Sequence, residues 1–355
     1  MKIFVSICSY RDPLLQSTIE SLVQTASGRH QITYGIFEQT AFENSLETVA
    51  PELIKRPDVR YKRIDPIYSE GVGWARHFNS IQVEDEELFY QVDSHMVFVQ
   101  NWDRLLVNDW KKGRDKHNDD KIIITASCYS YDLDSHGKPN LHKEYYPKTS
   151  KVKYFYYPPV GNVLGAHGDL IDKTNDIEPA IHICAGNFFT TTKWLKDVGI
   201  NPKIFFDGEE QYMVLTSFAA GYKLYHPREI GCYHFIGTNQ YVTKQWFEPI
   251  ISMETYGDLV RRSVNQLENL IKNIDEDVLE AFYTYSGVDY INRTLDERAK
   301  TYTIKHPSTI EETTPPTHID IAHDVPSITP EERDERRSKI AAIKAEKPKE
   351  INKLK

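Results

Sequence analysis

The stretch that decides the fold is LFYQVDSHM, residues 88–96. Its apolar half, Leu88 to Val92, predicts a buried β-strand that ends abruptly in a polar triplet. Because side chains alternate along an extended backbone, Asp93 and His95 project to the same side and Ser94 points away. A carboxylate and an imidazole that lie side by side at the end of a central strand can hold one divalent cation.

Length and composition describe an ordinary globular chain. It has 355 residues, of which 40% are hydrophobic and 27% charged, enough for one large domain or for one domain with a smaller appendage. The formal net charge of -9 disfavours broad nucleic-acid binding by surface electrostatics, although a local basic groove stays compatible with it.

From the sequence we expect neither a targeting segment nor a membrane segment. The apolar run from Ile3 to Cys8 is too short for a signal-peptide core and instead predicts a first strand. No apolar stretch approaches the roughly 18 residues that cross a bilayer. The four cysteines lie far apart without metal-binding spacing, which is typical of free thiols. We therefore expect a cytoplasmic protein that does not enter a membrane.

Strands alternate with helices through the first hundred residues, which indicates an α/β sheet of mainly parallel strands. Asp12 and Pro13 predict the start of the first helix, as its N-cap and first helical residue. The later predicted elements are strands at 32–38, 59–64, 88–92, 122–126, 181–190 and 231–235, a helix from 71 to about 81, and a helix from about 209 to 221.

The composition of the sequence changes at three places after residue 130. Residues 132–168 resemble a long functional loop, because they are dense in Tyr, Lys, Pro, His and Gly. Beyond residue 245 an apolar periodicity predicts helices, and from 307 the chain is rich in Pro, Thr, Glu and Lys. We predict disorder over 309–330 and a charged helix over 331–345. The expected domains are thus 1–245, a helical extension 246–306 and a charged tail 307–355.

A third ligand is available for the predicted cation. His234 ends a late strand in an otherwise apolar setting, and with Asp93 and His95 it would give one oxygen and two nitrogen ligands with open positions. That set suits Mn²⁺ or a similar ion whose other positions take phosphate and water. The alternative is a turn aspartate, a surface histidine and a core histidine bonded to a carbonyl. The absence of HExxH excludes a zincin-type metalloprotease.

The segment GVGWAR, residues 71–76, is a second candidate site. Its glycines invite comparison with GxGxxG, but the sixth position is Arg76 and no strong strand directly precedes the segment, so a Rossmann dinucleotide site is not supported. No P-loop motif is present either. A helix N-terminus beside Arg76 suits a phosphate or a nucleotide. The alternative is a surface ion pair.

Two further segments carry polar groups suited to sugars. Asp207-Gly208-Glu209-Glu210 begins a helix, and Glu209 or Glu210 would bind sugar hydroxyls or orient an acceptor. The alternative is a simple helix start, because acidic residues favour the first helical turn. Ala185-Gly186-Asn187 offers a closely approachable backbone and the Asn187 amide. A serine hydrolase is unsupported, because GxSxG is absent.

These pieces, in this order, resemble a nucleotide-sugar glycosyltransferase of the GT-A fold. The segments IFVSICSYRD (3–12), WAR (74–76) and QVDSHM (91–96) are similar to the family that adds GlcNAc to a hydroxyproline of a ubiquitin-ligase subunit. The DSH triplet also resembles that of the polypeptide GalNAc-transferases, which complete an Mn²⁺ site with a distant histidine. The resemblance covers roughly residues 1 to 240.

The resemblance implies a Rossmann-like mixed central sheet flanked by helices, followed here by the helical extension and the tail. It also implies that Mn²⁺ (or Mg²⁺) is bound by Asp93, His95 and His234 and holds the diphosphate of a UDP-sugar. The nucleotide would contact Ser9, Arg11, Trp74, Arg76 and Asp93. The donor sugar and the reacting groups would contact Asp207, Glu209, Glu210 and Asn187. The family's usual Trp before the glycine is replaced by Asp207.

The implied function is transfer of a sugar, GlcNAc-like or another hexose or a pentose, from the UDP-sugar to a hydroxyl group with retention of configuration. The acceptor hydroxyl would belong to a protein, a glycan or a modified nucleobase in DNA. A non-catalytic sugar- or nucleotide-binding protein on the same scaffold is the other alternative. The oligomeric state stays open.

Overall fold

The structure is a computed structural model that describes residues 1–40, 49–143, 146–236 and 253–301, with the single residues Ile304, Glu331 and Ser338. Side chains are described from residue 256 onward in the segment that begins at 253. Both predicted domain boundaries, the predicted disorder over 309–330 and nearly all of the helix predicted over 331–345 lie outside the described residues.

The strands and helices follow one another as the alternating pattern predicts in the first third of the chain. The strands are β1 (Lys2–Tyr10), β2 (Gln31–Gln39), β3 (Val59–Ile64), β4 (Leu88–Val92), β5 (Met96–Phe98), β6 (Ile122–Thr125), β7 (Tyr129–Leu133), β8 (Pro139–Leu141), β9 (Lys148–Tyr156), β10 (Gly165–Asp172), β11 (Glu178–Pro179), β12 (Asn187–Thr191), β13 (Lys223–His226), β14 (Cys232–Phe235), β15 (Val288–Asp289) and β16 (Thr294–Leu295). The α-helices are α1 (Leu15–Thr25), α2 (Pro51–Ile54), α3 (Val72–Ser80), α4 (Trp102–His117), α5 (Trp194–Asp197), α6 (Glu209–Ala219), α7 (Met253–Asn273), α8 (Glu276–Ser286) and α9 (Glu297–Thr301).

A central sheet of eight strands carries the fold, in the order β11-β13-β6-β12-β4-β1-β2-β3. β1 runs parallel to both β2 and β4, whereas β12 is antiparallel to its two neighbours β4 and β6. Every residue of β4 and of β12 is buried, as expected for strands covered on both faces. The predicted mixed sheet flanked by helices is therefore confirmed.

A smaller sheet continues directly from the end of β4. Its order is β5-β14-β7-β8, and β5 begins at Met96, immediately after the polar triplet. β14 pairs antiparallel with β5 and places His234 opposite Met96. This pairing brings His234 close to Asp93 and His95, although it comes 139 residues after His95 in the chain.

The helices α7 and α8 pack against the central sheet. Leu267 and Leu270 of α7 and Phe282 of α8 belong to the same buried cluster as Phe188 of β12 and Met213 of α6. None of these five side chains is more than 5% exposed. The helical extension thus shares a hydrophobic core with the sheet. No helix in the described parts of the chain is long and apolar enough to cross a membrane.

Three sequence expectations about secondary structure are wrong. The strand predicted over 181–190 begins only at Asn187. The first helix begins at Leu15, two residues later than predicted, because Asp12 accepts a hydrogen bond from the Leu14 N–H (2.9 Å) in a turn before the helix. The stretch expected to be loop-like contains the antiparallel hairpin β9–β10. Its KVKYFY segment alternates between half-buried and buried positions up to Tyr154, which is the period of a strand.

Candidate functional site

A cavity of about 480 Å³ opens where β1, β2 and β4 end and where β12 and α6 begin. The ends of parallel strands are the usual place for a ligand site in an α/β sheet. Most residues predicted to form a site line this cavity: Ser9, Arg76, Asp93, His95, Asp207, Glu209, Glu210 and His234. The structure therefore brings most of the predicted residues together at one cavity, although their hydrogen-bond partners differ from one another.

Asp93, His95 and His234 converge at this cavity, with one possible ligand atom from each lying within 4.8 Å of the others. The Nε2 atoms of His95 and His234 are 3.0 Å apart, and His234 Nε2 is 3.3 Å from Oδ2 of Asp93. The strand end that carries Asp93 and the β5–β14 pairing that carries His234 together produce this arrangement.

Asp12 supports the cluster from behind, a role that the sequence did not suggest. Its Oδ2 accepts hydrogen bonds from Nδ1 of His95 (2.7 Å) and from Oγ of Ser94 (2.6 Å). A carboxylate on Nδ1 leaves Nε2 of His95 as the nitrogen available to a metal. The position of Asp12 just past the end of β1, the strand beside β4, was the available signal.

The chemistry of the cluster fits a divalent cation. Burial opposes ionisation of Asp93, but the hydrogen bond from His234 and the charge of Arg76 hold the pKa of its carboxyl well below the usual range. One carboxylate and two imidazoles with open positions accept first-row ions such as Mn²⁺, whereas Mg²⁺ prefers oxygen ligands alone. The donor atoms of the three residues therefore fit a divalent cation.

Arg76 is buried and lies between two carboxylates. Its Nη2 is 2.8 Å from Oδ1 of Asp93, and its Nη1 donates to Oε2 of Glu209. Burial opposes the charge, but Glu209 and Asp93 together raise the pKa of Arg76. The alternative of a surface ion pair is therefore wrong, because the guanidinium is only 5% exposed.

The N-terminus of α3 is not open to a phosphate as the sequence suggested. The N–H groups of Val72 and Gly73 donate to the carbonyls of Phe205 (2.8 Å) and Ile204 (3.1 Å). A Cβ on Gly73 would lie 2.6 Å from the Ile204 carbonyl oxygen, so the glycine permits this close contact. Residues 71–73 therefore pack against residues 204 and 205, and Gly71, Val72, Ala75 and Arg76 line the cavity.

The three other residues expected at the nucleotide are placed differently. Ser9 lines the cavity, and its buried Oγ has no hydrogen-bond partner among the described residues. Trp74 packs in a buried cluster with Phe37 and Phe78 and does not line the cavity. Arg11 has a positive φ of 50° and donates its N–H to Gln39, and it too is absent from the cavity lining.

The two glutamates at the start of α6 have different surroundings. Glu209 binds Arg76 through Oε2, while its buried Oε1 has no partner among the described residues, and burial raises its pKa. Glu210 accepts hydrogen bonds from the Ala185 N–H (3.0 Å) and from His182 Nε2 (3.0 Å). Burial opposes its ionisation, but His182 lowers its pKa overall. Glu209 therefore keeps one acceptor atom available for a ligand.

Asn187 was expected to contact a ligand and His182 was not, and the structure places them the other way round. Both ends of the Asn187 amide are used within the fold, because it accepts from Tyr90 Oη (3.0 Å) and donates to the Ala126 carbonyl (3.0 Å). His182 was not predicted, yet it lines the cavity and its Nδ1 is 2.9 Å from Tyr154 Oη. A histidine three residues before AGN was the only sequence signal for it.

A second cavity of about 340 Å³ adjoins the first. The two cavities meet beside Asp93 and His234, and they share six lining residues: Asp93, Ala166, His182, Gly186, Glu210 and His234. Away from that junction the second cavity is lined by Ser127, Ser130, His167 and Ile236. Of the described residues that line it, none is Lys or Arg.

Comparison with known proteins gives one family match. The model of the family described as Glycosyltransferase (GlcNAc) matches residues 2–56 and 44–320 of this chain. No curated protein sequence matches.

Solved structures with a similar fold include glycosyltransferases. The crystal structure of GalNAc-T7 with UDP, GalNAc and Mn²⁺ has a TM-score of 0.54 at 12% identity and covers 84% of this chain. This chain covers 52% of the GalNAc-T7 chain, about half its length. The S. aureus TarS 1-349 structures with UDP and with UDP-GlcNAc have TM-scores of 0.41 and 0.39, each at 12% identity over 80% of this chain and over 80% and 81% of theirs. The likeness to GalNAc-T7 agrees with a GT-A fold.

Proposed function

Because this chain belongs to the Glycosyltransferase (GlcNAc) family, we propose that it transfers a sugar from a UDP-sugar to a hydroxyl group with the help of a divalent metal ion. One observation carries the metal dependence: ligand atoms of Asp93, His95 and His234 lie within 4.8 Å of one another at the cavity. GalNAc-T7, which shares the fold, is described with UDP, GalNAc and Mn²⁺. This supports a UDP-sugar as donor and Mn²⁺ (or Mg²⁺) as the ion.

The ion would neutralise the charge that builds on the departing diphosphate. Asp93, His95 and His234 would hold it, and Asp12 would keep the His95 imidazole in the ligating orientation. Arg76 fixes Asp93 from the opposite side and adds a positive charge at the cavity wall. The three ligands and their two supporting residues thus form one pre-organised unit.

The UDP-sugar would extend across the three ligand residues, with its nucleotide on one side of them and its sugar on the other. Ser9, at the end of β1, offers a buried hydroxyl with no partner among the described residues, which suits a nucleotide hydroxyl or carbonyl. On the other side, Oε1 of Glu209 is an acceptor atom without a described partner and suits a sugar hydroxyl. We assign nucleotide recognition to the β1 side and sugar recognition to the α6 side, with the diphosphate between them.

In the proposed reaction the bond between the sugar C1 and the diphosphate oxygen breaks, and its electron pair stays on the diphosphate. The acceptor oxygen forms the new bond to C1 from the same face, which retains the configuration. The departing phosphate takes the acceptor's proton, so the chain needs no separate base. Its own residues bind, orient and exclude water, and these contributions lower the barrier.

We assign the acceptor to the second cavity, because it meets the first at the metal cluster. Serine hydroxyls and three imidazoles line it together with Glu210, and none of its described lining residues is Lys or Arg. A neutral hydroxyl on a protein or a glycan suits this lining better than a DNA strand, whose phosphates require positive side chains. The resemblance to hydroxyproline-modifying enzymes favours a protein hydroxyl and a GlcNAc-like donor.

A non-catalytic sugar- or nucleotide-binding protein remains the second candidate function. The buried Oε1 of Glu209 and Oγ of Ser9 would serve binding equally well. The two candidates differ in turnover, because a binding protein would hold the nucleotide without releasing UDP from the donor.

The deciding experiment measures UDP release from a panel of UDP-sugars with Mn²⁺ and without an acceptor, since water replaces a missing acceptor slowly. We expect one UDP-sugar to be hydrolysed fastest and the release to stop with EDTA and return with Mn²⁺. UDP binding without release from any donor would favour the binding protein. Release that EDTA does not affect would refute the metal assignment. A modified duplex DNA that accepts the sugar would reverse the acceptor assignment.

A further inference from the structure

We propose that α7, the first helix of the C-terminal extension, shapes the sugar end of the donor cavity, with Ser263 and Glu268 as positioning residues. This inference rests on the proposed function. It gives a role to the helical extension, to which neither motifs nor comparisons assign one. Neither residue lines the cavity itself, so each acts through a wall segment that it holds.

Ser263 holds the wall segment that precedes α6. Its hydroxyl oxygen accepts hydrogen bonds from the N–H groups of Phe205 (3.0 Å) and Phe206 (3.2 Å) and donates to the Asp207 carbonyl (2.7 Å). The side chain is fully buried. One hydroxyl therefore fixes three consecutive residues, all of which line the donor cavity immediately before Glu209.

Glu268, a little more than one helical turn further on, holds the opposite wall segment. Its carboxylate accepts hydrogen bonds from the backbone N–H (2.8 Å) and the side-chain amide (2.6 Å) of Asn162. Asn162 directly precedes Val163 and Leu164, which line the cavity. A carboxylate that receives two hydrogen bonds from one residue fixes both its position and its orientation.

Between Ser263 and Glu268, α7 packs against Gly208, the residue that precedes α6. A Cβ on Gly208, whose φ is +86°, would lie 3.4 Å from the Leu267 side chain, so the helix packs closely on this turn. Gln211 of α6 then joins the two walls, because its Nε2 donates to the Leu164 carbonyl (3.1 Å). The walls and α7 therefore form one connected body on the side of the cavity that we assign to the sugar.

This arrangement separates the two ends of the donor. The nucleotide side is built from the ends of β1 and β2, whereas the hydrogen bonds of Ser263 and Glu268 reach residues 205–207 and Asn162. Loss of a Ser263 or Glu268 contact should therefore loosen the sugar walls and leave the nucleotide side in place. Binding of a UDP-sugar should weaken, whereas binding of UDP should not.

The test compares UDP with the UDP-sugar that the wild-type chain hydrolyses fastest, both with Mn²⁺, by calorimetry on the full chain. For Ser263→Ala we expect the Kd of the UDP-sugar to rise about tenfold relative to the Kd of UDP, and kcat/KM to fall by a similar factor. For Glu268→Gln we expect the same direction at about threefold. This second variant keeps the test valid if Ser263→Ala folds poorly.

Two matched controls lie outside both cavities. Ser286 is as fully buried as Ser263, donates to the Phe282 carbonyl (2.7 Å) and accepts from the Val288 N–H (3.0 Å). Asp289 accepts from the backbone N–H (2.8 Å) and the amide (2.9 Å) of Asn292, as Glu268 does from Asn162. We expect Ser286→Ala and Asp289→Asn to lower Tm to a similar extent without changing the ratio of the two Kd values.

The outcomes are distinguishable. A changed ratio in the two α7 variants with an unchanged ratio in the two controls supports the proposal. An equal loss of UDP and UDP-sugar binding in the α7 variants, no loss at all, or the same change in the controls would overturn it. A wild-type chain that binds neither UDP nor UDP-sugar with Mn²⁺ would instead refute the proposed function, and this inference with it.

Discussion

Gly186 lies directly against the carboxylate of Asp93, because β12 starts antiparallel to the end of β4. A Cβ on Gly186 would be 2.3 Å from Oδ2 of Asp93, which is closer than any side chain tolerates. The same carboxylate carries the Arg76 hydrogen bond on Oδ1 and faces His234 through Oδ2. The absence of a side chain at position 186 thus leaves room for the carboxylate of Asp93, a proposed metal ligand.

Gly186→Ala should displace the Asp93 carboxylate and weaken Mn²⁺ binding at least tenfold, since a ligand that is moved loses most of its contribution. Titration of the variant with Mn²⁺, followed by calorimetry, measures the effect. Gly257→Ala is the control, because a Cβ there would meet nothing closer than 3.4 Å within α7. Equal Mn²⁺ affinity in both variants would show that Asp93 is not a ligand.

Removal of a metal ligand should nearly abolish turnover. For His234→Ala we expect UDP release to fall about 10²–10³-fold, because charge stabilisation at a leaving group contributes several kcal/mol. UDP release with Mn²⁺ measures this, and added EDTA should reduce the wild-type rate to a similar level. The exposed His136, which lies in the turn after β7, gives the control His136→Ala with unchanged rate.

Asp12→Asn should weaken Mn²⁺ binding about 10–100-fold, although Asp12 is not itself a ligand. An asparagine is uncharged and has only one acceptor oxygen, whereas Asp12 uses one oxygen for His95 and Ser94 and the other for the Leu14 N–H. The His95 imidazole then loses its fixed orientation. The Mn²⁺ titration measures the change, and Ser94→Ala, which leaves the Asp12–His95 contact in place, should have a much smaller effect. If both variants bind Mn²⁺ as the wild type does, the support from Asp12 is unimportant.

Arg76→Met should lower the free energy of unfolding by about 3–5 kcal/mol, because it leaves the buried carboxylate of Glu209 without its positive partner. Adding Glu209→Gln should recover part of this loss. Urea denaturation measures both variants. The half-exposed pair of Arg56 and Asp58 offers a control, since Arg56→Met should cost only about 0–1 kcal/mol. A loss as small as in that control would contradict a charged, buried Arg76.

His226 should make stability depend on pH. It is buried and neutral, with Nδ1 3.1 Å from the Thr125 carbonyl and with the Val152 N–H 3.3 Å from Nε2, and burial lowers its pKa to about 3. A lowered pKa means that the contribution is complete above the unfolded value of about 6.5 and is lost as the pH falls towards 3. At pH 5 the loss amounts to about 2 kcal/mol.

Urea denaturation at pH 7 and at pH 5 measures this loss in the wild type. In His226→Asn the difference between the two pH values should shrink by about 2 kcal/mol. His136→Asn is the control and should leave the difference unchanged, because that side chain is exposed. An unchanged pH dependence in His226→Asn would show that another group is responsible.

The cluster of Asp93, His95 and His234 shows which contacts a local sequence pattern can predict and which it cannot. Asp93 and His95 were identifiable because a strand period of two places them on one side of a strand end. His234 was a candidate from its setting alone, and the resemblance gave it its place. Asp12 was predicted only as a helix cap, because its contact with His95 joins residues 83 positions apart. No local pattern encodes that distance.

The roles of the polar residues around the cavity were less predictable. The sequence predicts the same role for Glu209 and Glu210. In the structure Glu209 pairs with Arg76, whereas Glu210 accepts hydrogen bonds from His182 and Ala185. Asn187 looked available for a ligand, but its amide is used by Tyr90 and Ala126. Hydrogen-bond partners distant in sequence decided each case, and only packing brings such partners together.

By itself, the sequence determined the elements that local physics controls: the buried strand at 88–92, the alternation that makes an α/β sheet, and the placement of Asp93 and His95 directly after β4. Only the tertiary structure decided which side chains stay available to a ligand. It did so by pairing β14 with β5, by placing Arg76 between two carboxylates, and by packing α7 on the cavity walls. Strand period and helix period are properties of a few neighbouring residues, whereas the pairing of a polar atom depends on every segment that folds against it.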